Sequence, residues 1–130
     1  MAIRLRQVTL VPTGADGSAV ATATLSIGRP CIVRFIKVDY QNQPATVDLL
    51  IKDGTTSGAT LFTNTSSNTD VAFKPVGMPG VDEGGAATAA TDGLAGGWPV
   101  PSGALFFDVA QGDGQTSGNE AVVIDLLVEV

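Results

Sequence analysis

Apolar residues recur at every second position along most of this chain, in runs of five to ten residues. Ala121 to Val130 shows the pattern most clearly, with Val122, Ile124, Leu126, Val128 and Val130 on one face and Asp125 and Glu129 on the other. A period of two, rich in β-branched residues, predicts a strand with one buried face. Ala45 to Lys52 repeats it through Val47, Leu49 and Ile51, and Ala104 to Ala110 through Leu105 and Phe107. Ser18 to Ser26 predicts a lighter strand of Ala and Thr, while Ala59 to Thr63 and Asp70 to Lys74 predict two short ones.

Two runs fall out of phase. In Ile3 to Val11, Ile3 and Leu5 share one face and Val8 and Leu10 the other. That shift predicts a β-bulge near Gln7, or a strand passing from one sheet to another. In Cys31 to Tyr40, Val33 and Phe35 lie on one face and Ile36, Val38 and Tyr40 on the opposite one. Apolar residues on both faces predict a central strand, or one covered by a neighbouring subunit. Turn chemistry separates the runs: Asp16-Gly17, Gln41-Asn42-Gln43-Pro44 and Asp53-Gly54. Eight such segments and no amphipathic helix predict an all-β fold, a jelly-roll-like β-sandwich in one domain over residues 1–130.

One stretch breaks the rhythm altogether. Val76 to Gly103 holds eight glycines, three prolines and five alanines in 28 residues, with no lysine or arginine. Connections longer than about 12–15 residues are uncommon in compact domains and are usually functional or disordered. The stretch is therefore read as an extended loop or arm that touches a partner. Its tryptophan lies in Gly96-Gly97-Trp98-Pro99-Val100-Pro101. Trp98 either plugs the end of its own sandwich or anchors in a neighbour, because tryptophan is enriched at interface hot spots. Met78, Leu94 and Val100 supply apolar surroundings in both cases, and Pro99 and Pro101 stiffen the exit. These six are the candidate interaction residues.

Composition narrows the class. Charged residues make up 15% of the chain, against roughly 25% in an average domain, so much of the surface is expected to be buried in a core or against partners. The formal charge of −6 is unevenly spread: residues 1–74 hold all seven Lys and Arg against five acids, and residues 75–130 hold eight acids and no base. Like copies could then pair basic face to acidic face, unless the two halves interleave in the fold. An acidic chain without a basic cluster is a poor candidate for nucleic acid. Cys31 is the sole cysteine, so no intrachain disulfide forms, and it reads as a buried inert thiol. With neither a signal-peptide h-region nor an apolar stretch of membrane-spanning length, the expectation is synthesis in the cytoplasm and no membrane partner.

Little catalytic chemistry is available. Histidine is absent, which removes Ser-His-Asp and Cys-His nucleophile arrangements and most zinc sites. Asp39 and Asp48 flank the Pro44 turn and are the one carboxylate pair considered for glycosidase chemistry, with solvated strand-face acids as the plainer account. Asp108, Asp113, Asn119 and Glu120 surround a Gly-rich loop with oxygen ligands for calcium, but the spacing departs from the EF-hand pattern and turn formation explains them. No phosphate-binding G-x-x-x-x-G-K-[ST] loop occurs. The expectation is a non-enzymatic chain without cofactors.

The composition rich in Ala, Gly, Thr and Val, strands at both ends, and segments such as Phe35-Ile36-Lys37-Val38-Asp39-Tyr40 and Leu49-Leu50-Ile51-Lys52-Asp53-Gly54 together resemble the capsid decoration (cement) proteins of tailed bacteriophages. The likeness is one of overall style and rests on no diagnostic motif. It implies a homotrimeric β-sandwich on the virion surface that binds major capsid subunits and clamps them with an extended arm. Another virion part, at the head–tail junction or in the tail, and a carbohydrate-binding module using Trp98, Tyr40 or the acidic loops are the alternatives.

Overall fold

The computed structural model describes residues 2–75, 97–114 and 119–130. Among these lie nine strands and no helix: β1 (Ile3–Leu10), β2 (Ala19–Ser26), β3 (Cys31–Asp39), β4 (Asp48–Asp53), β5 (Thr60–Asn64), β6 (Val71–Phe73), β7 (Trp98–Val100), β8 (Ala104–Gly112) and β9 (Val122–Glu129). Eight answer to the eight runs predicted from the alternation. The ninth, β7, falls inside the stretch read as a single loop, whose residues 76–96 lie outside the described residues.

Two antiparallel sheets result. One runs β1-β9-β3-β6, with β7 also on β3, and the other runs β2-β8-β4-β5. The pairs β1 with β9, β2 with β8, β3 with β6 and β7, and β4 with β5 are those of one long hairpin whose tip is the β4–β5 turn. Rolling that hairpin over itself adds β3 to β9 and β4 to β8. This strand order is that of a jelly roll. β6 and β7 both lie antiparallel to β3, against Ile36–Val38 and Cys31–Val33 respectively. They occupy one strand position in two pieces.

The core lies between the sheets. Val122, Ile124, Leu126 and Val128 of β9 and Val33, Ile36 and Val38 of β3 face Leu49, Ile51, Leu105, Phe107 and Val109 of the second sheet, and all are buried. Burying an aliphatic or aromatic side chain of this size contributes about 1.5–3 kcal/mol, so these positions carry much of the stability. Interleaving also disposes of part of the charge asymmetry. Acidic β9 runs between the more basic β1 and β3, where Arg34 pairs with Glu129 and Gln7 donates to Asp125 at 2.8 Å.

Gln43 ties the loops at one end. Its side-chain amide donates to the carbonyls of Glu120 and Asp113, and its Oε1 accepts the Asp113 N–H at 2.8 Å. Asn68 donates to its backbone carbonyl at 2.7 Å. Gly112 leaves room for this amide, since a β-carbon at that position would press on the Gln43 amide oxygen.

The two phase breaks resolve differently. β3 contains the bulge: its register with β9 shifts between Val33 and Phe35, so Val33, Ile36, Val38 and Tyr40 are all buried while Phe35 faces out. The expectation that Val33 and Phe35 share a face is corrected by that extra residue. β1 contains no bulge, since it pairs with β9 without a break from Ile3 opposite Glu129 to Leu10 opposite Val122. Its polarity inverts instead, which corrects the expectation of a bulge near Gln7.

Candidate interaction face

The first half of β1 is the region where side chain and environment disagree. Val8 and Leu10 face the core, and the same parity puts Arg4 and Arg6 on the inner face, opposite Val128 and Leu126 of β9. Ile3 and Leu5 therefore point outward, 63% and 69% exposed. Leu5 does not stand alone: it lies opposite Leu127 on β9, which in turn lies opposite Phe35 on β3. One row below, Ile3, Glu129 and Ile32 span the same three strands, with Arg34 held on Glu129 at 2.7 Å. An outer antiparallel face is expected to be polar. Here it carries an apolar row bounded by Gln7, Asp125 and Lys37.

The residues singled out from the sequence sit elsewhere. Trp98 is buried in β7, with its ring centroid 6.0 Å from Phe62 of β5 and 5.9 Å from Phe73 of β6. Those distances are normal for packed aromatic pairs, so the ring closes the β5–β6 side of its own sandwich. Gly97 turns the chain into β7 at φ +107°, where a β-carbon would collide with the Val33 carbonyl and the Ile32 side chain. Val100 is buried as well, while Pro99 and Pro101 are exposed. Met78 and Leu94 lie outside the described residues. Of the six candidates, the two prolines are thus the described ones that reach solvent.

Other candidate groups are absorbed into local structure. Tyr40 is fully buried; its hydroxyl accepts from Asn64 at 2.7 Å, and burial pushes its pKa up. With Trp98 and Tyr40 both inside, neither offers a platform on which a sugar could stack. Asp39 and Asp48 belong to different sheets. Asp39 accepts from Gln41 N–H at 2.9 Å, and Asp48 from Ser66 N–H at 2.8 Å and Gln111 at 2.9 Å, each organising a turn. In the loop considered for calcium, Asp113 accepts from Gly17 N–H at 2.9 Å and Glu120 from Asn119 N–H at 3.0 Å. Among the described residues no three acidic or cysteine side chains gather closely enough to hold a metal. Cys31 is buried, and burial, followed by the nearby Asp53, raises its thiol pKa, the condition of an unreactive cysteine.

Ile3, Leu5, Arg4 and Arg6 were not among the residues marked as candidates. Their signal was nevertheless present: the arginines are in phase with Val8 and Leu10, and an unbroken strand makes the polarity inversion unavoidable.

No protein-family model matches this chain, and no curated protein sequence does. A solved structure described as "CBM4 structure and function" is similar over 93% of this chain and 89% of its own, at 11% sequence identity and a TM-score of 0.26. A likeness of that strength supports no conclusion about ligand or role.

Proposed function

We propose that this chain is a non-enzymatic virion structural protein that decorates and stabilises a phage capsid by binding the outer surface of major capsid subunits. It acts as a homotrimer whose copies meet through the outer face of β1, β9 and β3. The observation that carries this reading is Leu5, exposed on an edge strand and continuous with Leu127 and Phe35. Apolar surface removed from water contributes about 25 cal/mol per Å², so a continuous apolar face favours a partner over solvent. A cement protein works through contact area and repetition rather than through reaction chemistry. Joining three copies multiplies weak capsid contacts into firm attachment.

The test is co-sedimentation of the purified chain with capsids assembled from the major capsid protein of the same virus. Wild type is expected to pellet saturably. Leu5→Asp, which places a charge on the self-contact face, is expected to pellet at least about tenfold less well through lost avidity. A wild-type chain that stays in the supernatant at saturating capsid would overturn the proposal.

A further inference from the structure

We propose that the cleft between the open edge of β1 and the loop that follows β2 is a binding site for a multiply charged oxyanion, held by the guanidinium groups of Arg4, Arg6 and Arg29. The cleft has a volume of about 350 Å³ and is lined by Ala2, Arg4, Arg6, Ile27, Arg29 and Val130. Two of its cations are there because of strand parity. Arg4 and Arg6 occupy core-side positions of β1 that Val8 and Leu10 fill further along, so both rise on the cleft side of the strand, Arg6 half-buried and Arg4 reaching solvent at the mouth.

No carboxylate side chain lines the cleft. β9 presents Val128 and Leu126 to the two arginines, and Glu129 is turned to the outer face, where it binds Arg34. That pair is the sole ion pair among the described residues. Guanidinium groups carry a permanent positive charge, so three of them lining one cleft favour an anion there. Each offers a planar fork of donors suited to phosphate or carboxylate oxygens. Ile27, Ala2 and Val130 complete the lining. The whole chain carries a net charge of −6, which repels anions at long range, so attraction here has to be local.

Calorimetric titration of the isolated chain at low ionic strength, with inorganic phosphate in one arm and citrate in the other, tests this without capsid or partner. One anion per chain is expected to bind. Tighter phosphate would identify a phosphoryl group as the natural ligand, and tighter citrate a carboxylate. Removing one charge-assisted contact by Arg6→Gln or by Arg29→Gln, the latter in a loop outside the sheets, is expected to weaken binding about tenfold. Lys37→Gln removes the same charge from the outer face and is expected to change nothing. Binding of neither anion, or an equal loss in Lys37→Gln, would overturn the site. So would unchanged titration in the arginine variants together with new aggregation, since inward charges would then serve only to guard the edge strand.

Discussion

Strands β1 and β3 both break the two-residue alternation, and they do so in opposite ways. In β3 the backbone absorbs the mismatch: one extra residue at the bulge brings Val33, Ile36 and Val38 to the same buried face. In β1 the backbone stays regular and the side chains absorb it, leaving Ile3 and Leu5 in solvent and placing Arg4 and Arg6 at core-side positions. A bulge is a solution for packing a core. Exposed leucine and inward arginine contribute nothing to a core, so the first half of β1 points to a requirement outside folding, such as a neighbouring protein and an anion.

Substitutions along these strands sharpen the contrast. The largest effect is expected at Trp98, which lies beside Val33 of β3 and packs on Phe62 and Phe73. Trp98→Ala is expected to cost about 3–5 kcal/mol in urea denaturation. A cost below about 0.5 kcal/mol, the size of an ordinary surface change, would mean the ring is not part of this core. Next comes a matched pair. Ile36→Ala, just beyond the β3 bulge, is expected to cost about 2–5 kcal/mol, and Leu5→Ala on β1 to stay within about 0.5 kcal/mol for the isolated protomer. Similar costs at the two sites would erase the difference on which the reading of β1 rests.

Much of this architecture was legible in the sequence, because strands that alternate against one core announce themselves. β9 is the clearest case: every inward residue predicted from the pattern is buried or half-buried. β7 was not legible. Three residues containing a proline, embedded in a Gly-rich stretch, carry no alternation to read, and what makes them a strand is Cys31–Val33 alongside. The position of Trp98 was undecidable for the same reason, since Phe62 and Phe73 reach it from two other strands. Whether a phase break means a bulge or a polarity inversion also depends on the partner. β9 offers β1 an unbroken register and β3 a shifted one, and neither is written in the strand itself.

Light scattering after size exclusion, on wild type and on the Ile3→Asp, Leu5→Asp double variant, tests the central claim most directly. The account predicts a wild-type mass near three times 13.2 kDa, and a variant that runs as a single chain with its β-sheet circular dichroism intact. A monomeric wild type, or a trimer that survives both aspartates, would contradict the assignment of the outer face of β1 as the surface this protein uses.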